Sequence, residues 1–249
     1  MNRIIRLFAV VFFVAHPLVC AAAPVAPDRH SQTIKFTKGA TSTVIKGQIK
    51  GDRYIDYLVR AGAGQALSVE MQTGNGANYF NILPPGSADA AMFVGSTSGN
   101  RYSGVLPADG DYAIRVYLMR SAARRNEAAS FTLTVGVTGQ ALAATPAARD
   151  ALLPGTPFHA SATIACVPPY AASTKECEAF VIRRGFGGTA TVEVRWGDRM
   201  KHHILFVKGS VVAADSPEAF SVERKGDVSV VRFGSEEHFE IPDALVSGG

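Results

Sequence analysis

Short runs of alternating apolar and polar residues fill most of the chain. In DYAIRVYLM (residues 111–119), Tyr112, Ile114, Val116 and Leu118 fall on one face, and Ala113, Arg115 and Tyr117 on the other. That period of two is the mark of a strand with one buried side. YIDYLVRA, QALSVEMQT, YFNIL, AMFVG, YSGVL and SFTLTVGV read the same way, and GAG, GNGAN, PPGSAD, STSGN and PADGD between them are turn chemistry. No helical period persists for ten residues. Many short strands at regular spacing predict an all-β fold, with a β-sandwich over residues 29–140. The strands TIACV, EAFVIRR, TATVEVRW, HHILFVKG, VAADS, FSVERKG and VSVVRFG predict a second, smaller β-rich domain over residues 158–249. Between the two, residues 141–157 (ALAATPAARDALLPGTP) are rich in Ala and Pro and read as a linker with a short helical piece.

The start of the chain is patterned differently. Arg3 and Arg6 precede an apolar run from Leu7 to Val19, and Ala21, Ala22 and Ala23 follow. This predicts a secretory signal peptide over residues 1–23, and hence a periplasmic or secreted protein. The run is shorter than the roughly 20 residues a spanning helix needs. Cys20 offers a lipid anchor as the alternative, although Val19 stands where such sites take a small residue. Cys166 and Cys177 are then the remaining pair, and in an oxidising compartment they are expected to form a disulfide.

Charge narrows the partners. The chain holds 25 Lys and Arg against 21 Asp and Glu, too mild an excess to imply nucleic acid. The distribution is uneven: residues 29–140 carry 12 basic and 7 acidic groups, residues 151–249 carry 10 and 12.

Motifs for catalysis are missing. The sequence contains no GxSxG and no HExxH. GFGGTA (residues 185–190) lacks the GK[ST] of a phosphate loop and reads as a hairpin turn. His202 and His203 are neighbours on a predicted strand, so they point to opposite faces and cannot share a metal; one is expected at the surface and one half-buried. Asp109 and Asp111 read as turn residues, and Glu236 and Glu237 as exposed. No catalytic residue, metal or cofactor is expected, and the chain is read as a non-enzyme.

RSAARRN (residues 120–126) puts Arg120, Arg124 and Arg125 on one connection between two predicted strands, read as a hairpin tip. A solvated turn is one account of it. The other is a partner site: arginine is a planar fork that binds carboxylates in pairs of hydrogen bonds, and Tyr112, Arg115 and Tyr117 lie on the strand that feeds this loop. Tyr and Arg are frequent interface anchors.

FTKGATS with IKG at Ile49 to Gly51, then YLVRAGAGQALSV, LPADGDYAIRV and RSAAR, occur in order over residues 33–137. In this the chain resembles the periplasmic inhibitors of g-type lysozyme. GDYAIRVY followed by SFTLTV is also similar to the pre-peptidase C-terminal β-sandwich domains. The resemblance implies a β-sandwich that inserts loops into the lysozyme cleft and blocks access of peptidoglycan. It carries the RxxxR pair onto Arg120 and Arg124, with Tyr117 and Asn126 as neighbours and Tyr79, in GNGANYF, on a second inserting loop. The implied partner is a g-type lysozyme. The alternative reading is a cell-wall or glycan-binding module that uses exposed Tyr residues and Trp196.

Overall fold

The structure, a computed structural model, describes residues 29–248 apart from 172, 174, 186, 198 and 199. The predicted signal peptide and Cys20 lie outside the described residues. The strands β1 (Arg29–Thr33), β2 (Ser42–Lys50), β3 (Tyr54–Ala61), β4 (Ala66–Thr73), β5 (Asn78–Leu83) and β6 (Phe93–Val94) lead to α1 (Gly95–Ser98). Then come β7 (Arg101–Val105), β8 (Gly110–Leu118), α2 (Arg120–Arg124) and β9 (Ala128–Thr138). The strands divide into two sheets, ordered β1-β3-β8-β5-β6 and β2-β9-β4-β7. Between the sheets lies one apolar core, including Val59, Leu67, Phe80, Ile114 and Leu133. Tyr112, Ile114, Val116 and Leu118 all point into it, as their alternation requires.

The second part continues with β10 (Ala160–Val167), β11 (Lys175–Arg183), β12 (Ala190–Trp196), β13 (Met200–Val207) and β14 (Ser210–Ala214). It closes with β15 (Phe220–Lys225), β16 (Val228–Phe233), β17 (Glu237–Pro242) and α3 (Asp243–Ser247). These eight strands form one sheet, ordered β14-β13-β12-β11-β10-β17-β16-β15. The sheet curls on itself: His202 on β13 meets the rings of Phe233 and Phe239 on β16 and β17, far along the strand order. Its own core includes Val192, Ile204 and Phe239. Cys166 and Cys177 are joined in a disulfide at the edge of that core. Among the described residues no helix is long and apolar enough to cross a membrane.

The structure corrects two expectations here. RSAARRN is not a hairpin tip, because β8 and β9 belong to different sheets and the segment crosses from one sheet to the other. No helix forms in residues 141–157. That segment is instead hydrogen-bonded into its surroundings: Leu142 N–H donates to Ala63 O at 2.8 Å and Thr145 N–H to Arg183 O at 2.8 Å. Its Pro residues and backbone pairing to two different partners leave no room for a helical ladder.

The eight-stranded sheet docks on one end of the sandwich. Arg184 Nη2 donates to Asp109 at 2.8 Å, Arg184 Nη1 to Leu142 O at 2.7 Å, and Thr191 Oγ1 to Pro107 O at 2.7 Å. Ala63, Leu205 and Ala213 pack together beneath these bonds, with Leu142 against them. Asp109 and Ala63 lie where β8 begins and β3 ends. α2 lies at the other end of β8, whose nine residues span about 25–30 Å. The sandwich therefore has one covered pole and one open pole.

Candidate functional site

The open pole is built from three connections. Tyr117 and Leu118 end β8, and Met119 N–H donates to Ala77 O at 2.8 Å, which starts α2 beside the β4–β5 turn. Ala122 is wholly buried and anchors the short helix to the sandwich core. The spacing of Arg120 and Arg124 is therefore one helical turn, which puts the two forks on the same side, with Cβ atoms about 5–6 Å apart. Asn126 ends the turn with φ 56°, and its N–H donates to Ala123 O at 2.9 Å. Gly51 packs against it: a Cβ there would come within 2.9 Å of Asn126 Oδ1, and its φ of 63° is one that L side chains avoid.

The one favourable local charge is Arg124, a cation in the last turn of the helix. The helix has no side-chain N-cap and no acid in its first turn. Two like charges one turn apart disfavour the helix by a few tenths of a kcal/mol. Among the described residues neither Arg120 nor Arg124 has an ion-pair or hydrogen-bond partner, and both are exposed. The third arginine differs. Arg125 Nε donates to Glu127 Oε1 at 2.7 Å, and Asn75 Nδ2 donates to the other oxygen, Oε2, at 3.0 Å. Asn75 and then Arg125 hold the Glu127 carboxyl below its ordinary value. The same carboxylate thus ties α2 to the turn that precedes Tyr79.

Tyr79 and Tyr117 are direct partners across β5 and β8, both half-buried on the outer face of the sheet. The next pair outward on that face is Asn81 with Arg115. Arg115 is occupied: it binds Asp56 through two bonds, of 2.7 and 2.9 Å, and lies 4.3 Å over the Tyr54 ring. Tyr112 is core, its hydroxyl donating to Ala108 O at 2.8 Å. Of the candidates from sequence, Arg120, Arg124, Asn126, Tyr117 and Tyr79 gather at the open pole, while Tyr112 and Arg115 belong to the architecture. The sequence put Arg115 on a strand but did not reveal its partner, because Asp56 is distant along the chain and is brought opposite by β3–β8 pairing.

A relative supplies the comparison. The inhibitor of g-type lysozyme of Escherichia coli (strain K12) is 31% identical over 108 residues, which is 42% of this chain and 78% of that protein. The chain belongs to the family of inhibitors of g-type lysozyme. Among solved structures of this family, Aeromonas hydrophila PliG, a periplasmic inhibitor of g-type lysozyme, is 34% identical. The match covers 45% of this chain and all of that one, with a TM-score of 0.42. The Salmonella Typhimurium PliG is 27% identical, over 44% of this chain and 98% of that one, with a TM-score of 0.35. No family profile matches the chain. More than half of this inhibitor-family chain thus lies beyond the span of its relatives.

The second sheet holds a charged network that sequence reasoning missed. His202 and His203 do point to opposite faces, but neither is at the surface. Both bind one carboxylate: Asp215 accepts from His202 Nδ1 at 3.1 Å and from His203 Nδ1 at 2.5 Å. His202 Nε2 reaches Glu237 at 3.2 Å, and His203 Nε2 reaches Glu193 at 2.9 Å. Glu237 is therefore half-buried, contrary to the reading of it as exposed. Burial would lower the His203 pKa; Asp215 and Glu193 outweigh it and raise it to about 9. Among the described residues no group of His, Cys, Asp and Glu is arranged to hold a metal ion. Trp196 is packed on His202 and Phe239, with ring centroids 4.8 and 5.5 Å away, rather than standing free.

Proposed function

We propose that this protein is a periplasmic, non-catalytic inhibitor of a g-type lysozyme and that its open pole enters the enzyme's cleft. Arg120 and Arg124 would pair with acidic groups there, with Tyr117 and Tyr79 beside them and Asn126 fixing the turn, so that peptidoglycan is kept out. The observation that carries this reading is the pair of arginines, without partners among the described residues, one helical turn apart at the pole the second sheet leaves open. In this reading residues 29–140 are the inhibitor domain, and residues 158–249 are a second domain joined by residues 141–157. The basic excess of residues 29–140 gives no attraction to a basic enzyme at long range, so affinity would come from contacts inside the cleft.

The test is inhibition of a g-type lysozyme by the mature protein, with a c-type enzyme as control and Arg120→Ala/Arg124→Ala alongside. Selective inhibition lost in the double variant supports both parts of the proposal. No inhibition of either enzyme overturns it. One observation favours the second reading, a cell-wall glycan module: Tyr79 and Tyr117 lie side by side on an outer sheet face. Pull-down by insoluble peptidoglycan without lysozyme inhibition would select it.

A further inference from the structure

The covered pole contains a cleft of its own. The sandwich connection between β5 and β6 faces the mouth of the second sheet, and a cavity of 510 Å³ lies between them. This falls in the range of small-molecule sites. Trp196 lines its interior and Tyr170 its lip. Tyr170 is 98% exposed with φ 64°, a backbone region unfavourable to a bulky residue. It sits on the connection between β10 and β11 that the Cys166–Cys177 disulfide closes. A disulfide-closed loop thus holds a tyrosine out in water at the entrance of a cavity floored by a tryptophan.

The charges around this cavity are mostly acidic. Its floor carries Asp215 and Glu237, but His202 bonds to both and His203 to Asp215, so these carboxylates are already engaged and the rim supplies the free negative charge. Lys201 lines it too, but its ammonium is held by Glu193 at 3.0 Å. At the rim, Glu218 has no ion pair among the described residues, and Asp89 is 88% exposed with only a 3.7 Å contact to Arg115, which Asp56 already satisfies. Two carboxylates with spare capacity therefore border a cavity with two aromatic rings.

We propose that this cleft binds an organic cation, a primary ammonium or guanidinium group on an apolar stem. The cation is held by Asp89 and Glu218, and its stem lies between Tyr170 and Trp196. Ring faces attract such cations, more strongly as water is excluded, and the carboxylates supply charge-assisted hydrogen bonds. The ligand is either a free amine or a lysine side chain of a peptide; the recognition chemistry is the same. This proposal is independent of the lysozyme reading, because it concerns the opposite pole.

The chain has a single tryptophan, so its fluorescence reports this cleft alone. The mature protein is titrated at constant ionic strength with cadaverine, with the acetylated and amidated peptide Gly-Lys-Gly, and with glutarate as the anionic counterpart of similar length. A saturable change with either amine and none with glutarate is expected. Cadaverine alone responding identifies a free-amine site, and the peptide responding more tightly identifies a lysine site. Asp89→Asn/Glu218→Gln, at exposed positions that leave the fold intact, weakens the response at least tenfold, and Tyr170→Ala weakens it as well. No saturable change with either amine, an equal change with glutarate, or an unaltered response in the double variant overturns the proposal.

Discussion

Arg184, whose side chain is wholly buried in the second sheet, donates to Asp109 of the sandwich at 2.8 Å. This contact joins residues 75 positions apart and makes the covered pole a fixed junction rather than a tether. Asp109 also accepts from Ala63 N–H at 2.8 Å, so one carboxylate serves both halves.

The two partners of that junction are not equivalent. Asp109→Ala leaves a buried guanidinium with only neutral acceptors, a loss of up to about 3–5 kcal/mol in fully buried pairs. Asp109 is half-exposed, so about 1–3 kcal/mol is expected here. Arg184→Met leaves a carboxylate that water can reach and should cost less. Thermal unfolding of both variants checks the order; equal losses would refute the asymmetry.

At the open pole the three arginines should separate in a lysozyme inhibition assay. Arg120→Ala and Arg124→Ala each remove an uncommitted fork. If each meets a buried acid, affinity falls by about 2–5 kcal/mol, roughly thirtyfold or more. Arg125 is already engaged by Glu127, so Arg125→Ala should change inhibition less than threefold, at the level of an exposed ion pair. Equal effects of all three would point to general charge instead.

Stability should depend on pH through the buried histidine network. The His203 pKa is raised to about 9 from an ordinary 6.5, so its contribution is complete below about 6.5 and is lost as the pH rises through about 9. For Glu193, burial pushes up, and bonds from His203 and Lys201 prevail and hold it at about 2. Asp215 is likewise held at about 2 by the two histidines against burial. Their contribution is complete above about 4.5 and is lost as the pH falls toward 2. These are the same bonds seen from both sides and count once, roughly 3 kcal/mol. Urea unfolding followed by Trp196 fluorescence should show a plateau between about pH 4.5 and 6.5, with losses on both sides. His203→Gln should flatten the alkaline loss.

Reduction of the Cys166–Cys177 bond frees a loop with a sequence separation of 11. The loop-entropy estimate gives about 2–3 kcal/mol, or roughly 4–12 °C in Tm for a chain of this size. A melt with and without reductant measures it. Cys166→Ala/Cys177→Ala should lose a similar amount and respond no further to reductant.

The sequence by itself determined the all-β class, the inward face of β8, the disulfide pair and the arginine cluster. Each of these is local: alternation with period two, turn residues at short spacing, and residue type read directly. The order of the quoted segments also carried the family. The tertiary structure alone decided which arginine is free. Arg115 and Arg120 carry the same charge and reach, but strand pairing brings Asp56 opposite the first, and among the described residues no acid pairs with the second. The change of sheet between β8 and β9 was equally hidden, since a hairpin and a crossing both begin with a strand, a short connection and a strand. The two histidines show the same limit. Alternation set them on opposite faces, but the pairing of β14 with β13 placed Asp215 within reach of both, and the curling of the sheet brought Glu237 to His202, burying charge that residue type alone would leave in water.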